Sequence, residues 1–301
     1  MEPIRIFIDT DIGDDVDDAL AIALAALSPE LTLTGVSTVY GNVSARRQLA
    51  VQLLRQLGTE VPVEAGVGRS LRFQNDTSVL PHQCRVLAEQ PPAAANVHGV
   101  ELLIETVRSA PETVVIALGP LTNIAMAVLL APDIMKHAKI VLMGGAFSAV
   151  YPEYNILCDP EAANIVLRSG AEIRMIGLDV TVPCILSKEE EGVIGSFRDG
   201  YRGFLASLCA IWLETSKSKK ITLHDPLTVA SLIDPTLLKM EAAPIQIEMD
   251  SGPLRGLTVD LRHPFRQREP LPPANVMIAV AVDAQRTCKL VMERVFGHRP
   301  L

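Results

Sequence analysis

Aromatic side chains are scarce, 4% of 301 residues, while hydrophobic residues make up 49%. Ala, Val, Leu and Ile must therefore fill the core. That composition suits parallel strands buried under helices and argues against a small barrel. Positive charge is short as well. The net charge is −8, and a chain this acidic lacks the basic surface that displaces counterions from nucleic acid, so no nucleic-acid partner is expected. Long apolar runs are missing. The richest, Ala19–Leu27, falls far short of the ~20 residues that span a bilayer, so no membrane partner is expected. The five cysteines, Cys84, Cys158, Cys184, Cys209 and Cys288, are scattered and odd in number, with no CxxC pair. This excludes a disulfide framework and a zinc knuckle, and reduced thiols are the plain reading. The first residues run directly into an apolar stretch ending at Asp9 without the grammar of a signal peptide, so a cytoplasmic location is expected.

What is present is a long alternation of strand and helix patterns. Ile4 to Ile8 is β-branched and aromatic and reads as a buried strand. Ala19 to Leu27 reads as a helix, Leu31 to Thr38 as a strand, and Ser44 to Leu57 as a helix. After the short strand Val61 to Ala65, residues from Arg69 to Ala95 lose periodicity and read as a long loop, a common place for a lid. The alternation then resumes. Strands are expected at Val114–Leu118, Lys139–Met143, Ile173–Leu178 and Asn275–Val282. Helices are expected at Gly99–Ser109, Pro120–Leu130, Pro160–Ser169, Pro226–Leu232 and Asp283–Val295, with a broken helical stretch over Glu189–Glu214. Ala243 to Leu261 reads as a hairpin or meander. The pattern implies an α/β fold: an open, mostly parallel sheet with helices on both faces and a Rossmann-like core. No linker, repeat or low-complexity tract interrupts it, so one domain over residues 1–301 is expected.

The chemistry concentrates between the first strand and the first helix. Asp9-Thr10-Asp11-Ile12-Gly13-Asp14-Asp15-Val16-Asp17-Asp18 carries six carboxylates in ten residues, and no Lys or Arg occurs between Arg5 and Arg46. Such a loop lies at the C-terminal edge of its strand, where open α/β sheets bind ligands. Carboxylates packed this closely take up protons unless a cation compensates. Oxygen donors without Cys or His favour a hard divalent ion, Ca²⁺ or Mg²⁺, over zinc. Helix capping accounts for about two of the six.

These residues resemble the inosine-uridine preferring nucleoside hydrolases. The Asp-x-Asp, the following Gly and the Asp-Asp-Ala carry the likeness, and further segments agree in order and spacing. They are Gly41-Asn42, Ala117-Leu118-Gly119-Pro120-Leu121-Thr122-Asn123, Met143-Gly144-Gly145, Glu153-Tyr154-Asn155, Asp159-Pro160-Glu161-Ala162-Ala163 and His224-Asp225-Pro226. The resemblance implies hydrolysis of the bond between ribose and base in a ribonucleoside. It implies a Ca²⁺ ion held by Asp11, Asp18, Asp225 and the carbonyl of Leu118. Asp11 would also act as general base toward a water on that ion. Asp17 and Asn42 would hold ribose hydroxyls, Glu153 and Asn155 would contact the sugar, and His224 would stand near the leaving base. A homodimer or homotetramer is implied too. Two departures stand out. Gly13 and the Asp pair are separated by two more residues than the family usually has, and alignment from the helix side makes Asp17 and Asp18 the pair. Alignment from the strand side would instead give the ribose role to Asp15, so Asp14 and Asp15 stay open. The segment from Ala146 to Pro152 also lacks the family's Gly-Asn pair, used for the 5′ end of the sugar.

Plainer readings compete at several positions. Asp225-Pro226 and Asp159-Pro160 both have the grammar of a helix N-cap followed by Pro. Asn42 reads as a turn residue and Asn123 as a satisfier of loop backbone. His98 reads equally as a base-contacting or a surface residue. Trp212 and Tyr201 read as core or interface. Two rival functions also use the loop. One is a haloacid-dehalogenase-like phosphohydrolase with Asp9 as nucleophile; the other is a nucleoside- or sugar-binding protein that keeps the metal site without turnover.

Overall fold

The structure is a computed structural model that describes residues 2–87, 98–148, 150–250, 252–262 and 271–298. Its strands are β1 (Ile4–Thr10), β2 (Leu31–Thr38), β3 (Val63–Ala65), β4 (Val114–Ala117), β5 (Lys139–Met143), β6 (Glu172–Ile176), β7 (Leu238–Ala243), β8 (Ile245–Ile247), β9 (Thr258–Asp260) and β10 (Val276–Val282). The α-helices are α1 (Asp17–Leu27), α2 (Val43–Leu57), α3 (Gly99–Ser109), α4 (Thr122–Leu130), α5 (Pro132–Met135), α6 (Tyr154–Cys158), α7 (Pro160–Leu167), α8 (Leu178–Thr181), α9 (Lys188–Ile194), α10 (Gly200–Thr215), α11 (His224–Ile233) and α12 (Ala284–Phe296). Eight strands form one sheet in the order β3-β2-β1-β4-β5-β6-β10-β7, and β8 and β9 form a separate antiparallel pair. Pairing in the large sheet is parallel except at its edge, where β7 runs antiparallel to β10.

The alternation of β1 explains the layers. Ile6 and Ile8 point into one apolar cluster with α1, α2, α10, α11 and α12. Phe7 points into another with α3, α4 and α7. Both faces of the sheet are thus buried, which is why its strands read as continuous apolar runs. The expected α/β architecture is the one observed. Between Arg69 and Ala95, residues His82–Val86 form a 3₁₀ turn, and residues 88–95 lie outside the described residues.

Strand order places the site. From β1 the chain moves outward one way through β2 and β3, and the other way through β4, β5 and β6. The reversal falls between β1 and β4, and a crevice opens at the C-terminal ends of strands at such a switch point. Ile8 lies opposite Ile116 and Asp9 opposite Ala117, and Leu118 donates its N–H to the Asp9 carbonyl at 2.8 Å. This register brings the end of β4 alongside the acidic loop. Helices α1 and α11 each begin two residues before their apolar patterns. Asp17, Asp18 and Asp225 therefore stand in the first turns of two helices that pack together, where N-terminal partial positive charge favours anions.

Candidate active site

Asp11, Asp14, Asp15, Asp17, Asp18 and Asp225 line a cavity of about 420 Å³. Leu118, Met143, Glu153, Asn155, Leu178, Tyr154, Trp212 and His224 complete its wall. The volume is in the range of small-molecule sites. A larger depression of about 770 Å³ lies between α9 and α12 and mixes Glu189, Glu190, Arg286 and Lys289 with apolar groups. It lacks the convergent carboxylates that set the first cavity apart.

Within that cavity, one carboxylate oxygen each from Asp17, Asp18 and Asp225 lies within 4.8 Å of the others. All three are buried, at 3–4% exposure. Burial raises their proton affinity well above the usual carboxylate range, and mutual repulsion with Asp11 and Asp15 adds to it. Burial likewise pushes Asp11 up to about 6 and Asp15 up to about 7. Hydrogen bonding separates these acids. Both oxygens of Asp17 are engaged: Oδ1 accepts from Asp18 N–H at 3.1 Å and Oδ2 from Asp225 N–H at 3.2 Å. Asp18 accepts from the Thr10 hydroxyl. The Asp225 carboxylate accepts no hydrogen bond among the described residues, and that of Asp11 only one from its own backbone. Asp225 therefore does not cap α11, whose N-cap is Leu223 without a side-chain bond. The donor set fits a hard divalent cation: it is buried, anionic oxygen, and among the described residues the trio has no direct ion pair, Arg46 acting on Asp18 only at longer range.

Asp14 and Asp15 line the cavity but stand apart from the trio. Asp14 is exposed and pairs with Arg46 at 2.9 Å, and Asp15 Oδ1 accepts the N–H groups of Val16 at 2.6 Å and Asp17 at 3.4 Å. Arg46 is buried and works mainly on backbone. It donates to the carbonyls of Asp11, of Ile12 at 3.0 Å and of Tyr40 at 2.7 Å. Tyr40 is thereby held at φ 61°, a left-handed conformation unusual for a residue with a side chain. Buried Gln83 ties this part of the loop, donating to the carbonyls of Asp14 at 3.2 Å and Asp15 at 2.7 Å. Glycine is required at two points. Gly13 has φ 133°, and a Cβ there would meet Pro81 at 2.6 Å; one on Gly119 would sit 2.9 Å from Asp11 Oδ1. Beneath the loop, Asp9 accepts from Ser37 at 2.5 Å and Asn123 at 2.7 Å, while burial pushes its carboxyl up to about 7.

On the far wall, Glu153 is N-cap of α6 and accepts the N–H groups of Asn155 (2.7 Å), Gly145 (3.1 Å) and Ile156 (3.1 Å). Asn155 donates to the carbonyl of Leu118 at 2.8 Å, and both residues line the cavity. At the start of the departing segment, Thr258 and Asp179 take the N–H groups of Ala146, Phe147 and Ser148 at 2.8–2.9 Å. His224 Nδ1 lies 2.8 Å from the Thr181 hydroxyl, and burial lowers the imidazole to about 4, so it is neutral at pH 7.

Two residues singled out by motif are elsewhere. Asn42 caps α2, its side chain accepting Ala45 N–H at 3.1 Å, and His98 is exposed ahead of α3; neither lines the cavity. Asp159 caps α7 and Asn123 bridges Asp9, Thr38 and Val67, as their plainer readings held. Tyr201 packs against α12 and donates to the carbonyl of Val295 at 3.1 Å. Trp212, read as core or interface, packs against the core and also reaches the cavity wall, with Nε1 donating to the Lys220 carbonyl at 2.8 Å. Sequence reasoning missed Arg46, Gln83 and Thr181. The one signal for Arg46 was its place as the first cation after the acidic loop.

The family model described as inosine-uridine preferring nucleoside hydrolase matches residues 6–289. The chain belongs to this family. The nucleoside hydrolase chain is 35% identical to a probable uridine nucleosidase 2 of Arabidopsis thaliana, over 97% of each chain. It is 32% identical to the inosine-uridine preferring nucleoside hydrolase of Crithidia fasciculata, again over 97% of each. Among solved structures it resembles a purine-preferring ribonucleoside hydrolase from Gardnerella vaginalis, with 32% identity and a TM-score of 0.83 over 97% of this chain and 98% of that one. As a nucleoside hydrolase it is an N-glycosyl hydrolase of ribonucleosides, and the phosphohydrolase alternative falls away. No helix among the described residues is long and apolar enough to cross a membrane.

Proposed function

We propose that the chain, working as one domain over residues 1–301, cleaves ribonucleosides to ribose and free base with Ca²⁺ held by Asp11, Asp18, Asp225 and the Leu118 carbonyl. The observation that carries this reading is the buried trio of Asp17, Asp18 and Asp225, whose oxygens converge and make no direct ion pair among the described residues. The carboxylates of Asp11 and Asp225 take no hydrogen bond from another residue, which leaves their oxygens for an ion, whereas both oxygens of Asp17 already accept one. When bound, a divalent ion lowers the pKa of a water and grips vicinal hydroxyls.

The side chains supply the rest. Asp11 takes one proton from the attacking water as the oxygen bonds to C1′. Asp17 receives the ribose hydroxyls, and Glu153 and Asn155 frame the sugar from the opposite wall. The surrounding negative charge stabilises the positive charge that grows on the ribose ring. His224 faces the departing base. Direct attack by water, with no protein nucleophile, gives inversion at C1′. Five cysteines without a disulfide support a reducing, cytoplasmic setting. Exposed Leu129 and Leu130 on α4 support a homodimer or homotetramer.

A panel of ribonucleosides scored for free ribose, with and without a chelator, tests the reading. Ribose release that stops on chelation and returns with calcium is expected. Tight nucleoside binding with no base released would leave the binding-protein alternative instead.

A further inference from the structure

Thr181 ends α8 and is fully buried, and its hydroxyl has one hydrogen-bond partner among the described residues, His224 Nδ1 at 2.8 Å. A buried hydroxyl places its proton on an acceptor. Nδ1 is the acceptor within reach, and an Nδ1 that accepts carries no proton of its own. A ring whose Nδ1 accepts keeps its one hydrogen on Nε2. In the opposite tautomer Nδ1–H would donate to the hydroxyl oxygen, and the Thr181 proton would be left buried without an acceptor. His224 lines the cavity, and with Nδ1 turned to Thr181 the nitrogen left for a ligand is Nε2.

Resting on the nucleoside hydrolase reading, we infer that Thr181 is a positioning residue: it locks His224 as the Nε2–H tautomer, so that the imidazole offers an N–H donor to the departing base. The bookkeeping closes without an acid on this side. The C1′–N bond breaks with both electrons passing to the base, and the Nε2–H hydrogen bond stabilises that charge without transferring the proton. Water gives its oxygen and one hydrogen to C1′ and its other hydrogen to Asp11; the base takes its proton from solvent, to which Asp11 returns one. The helix that carries Thr181 is itself fixed, because Asp179 holds the N–H groups of Phe147 and Ser148 at 2.8 and 2.9 Å. Second-sphere hydrogen bonds of this kind set which imidazole nitrogen is protonated.

The test uses Thr181→Val, which keeps the shape and removes the hydroxyl, and Thr181→Ser, which restores it. Two substrates are compared: a natural ribonucleoside, and a p-nitrophenyl riboside whose leaving group needs no donor. With Thr181→Val, kcat on the ribonucleoside should fall about 10–100-fold, on the scale of a lost acid–base contribution. The riboside should lose no more than about threefold, and Thr181→Ser should return the ribonucleoside rate to within about threefold. In ¹⁵N-histidine NMR of the wild-type chain, His224 should show Nδ1 bare and Nε2 protonated, with that preference lost in Thr181→Val and kept in Thr181→Ser. A wild-type Nδ1–H tautomer, an unchanged ribonucleoside rate in Thr181→Val, or an equal loss on both substrates would each overturn the inference. Should the wild-type chain release no base from any ribonucleoside, the functional reading fails on its own, and the NMR still decides the tautomer.

Discussion

Around Glu161, and where Arg262 bridges Glu241 of β7 and Asp260 of β9, acids meet guanidinium groups; at the end of β1, acids crowd one another. Glu161 pairs with Arg72 at 3.3 Å and Arg255 at 2.5 Å, and Arg262 reaches Asp260 at 2.7 Å and Glu241 at 3.3 Å. Lys239 first, and Arg262 after it, holds Glu241 below the usual carboxylate range. Glu161 also lies below it: burial opposes the shift, and its arginines outweigh burial. The loop after β1 shows the reverse shift in five buried or half-buried acids plus Asp225 across the cavity. A folded chain tolerates such repulsion where something outside the chain is meant to relieve it. The difference separates carboxylates that hold the surface together from carboxylates that wait for a ligand.

The comparison breaks most sharply through single substitutions. Asp225→Ala and Asp11→Ala should each lower kcat/KM by about a thousandfold or more, as expected for removing a metal ligand or general base, while circular dichroism remains native. Full activity of either variant at saturating substrate would place the chemistry elsewhere. Next comes Arg46→Met. Its buried guanidinium braces three backbone carbonyls and the strained Tyr40, so chemical denaturation should show a loss of about 2–4 kcal/mol. Asp14→Asn breaks only the exposed end of that contact and should cost less than about 1 kcal/mol.

The pH dependence sharpens the contrast. A carboxyl whose folded pKa lies above its unfolded value holds a proton that the unfolded chain has released. Its favourable contribution is complete below the unfolded pKa, near 3.8, and is lost as pH rises through about 6 for Asp11 and about 7 for Asp9 and Asp15. Metal-free protein should therefore melt at progressively lower temperature between pH 4 and pH 8 in differential scanning calorimetry. Calcium at about 100 times its Kd should restore about 2.7 kcal/mol at the upper end. A flat profile without metal would mean the loop is already compensated. Smallest of all is Glu161→Ala in the paired region, worth about 1 kcal/mol or less, reduced further by salt, with unchanged ribose release.

The layers were legible because buried parallel strands leave continuous apolar runs, as in Ile4–Ile8, and helices leave periodic ones, as in Gly99–Ser109. The acidic loop was legible because charge density survives in one dimension. Long-range partners do not. Arg46 is one of two adjacent arginines in the sequence, and only the fold sets it, rather than Arg47, under the loop. Thr181 lies 43 residues from His224, and no local pattern marks their contact. Trp212 packs against the core as its residue type suggested, but residue type alone does not say that its face of α10 also meets the cavity. The first turns of α1 and α11 were missed for a related reason: Asp and Pro there look like caps, while the helices begin two residues earlier and put the carboxylates inside.

The most direct measurement is calorimetric titration of calcium into metal-free protein at pH 7, for the wild type and for Asp225→Asn. The charge arrangement after β1 calls for one ion per chain in the wild type, and for that binding to be lost or weakened about a hundredfold in the variant. No heat of binding in the wild type, or equal binding in both, would contradict the claim that this cluster exists to hold a cation.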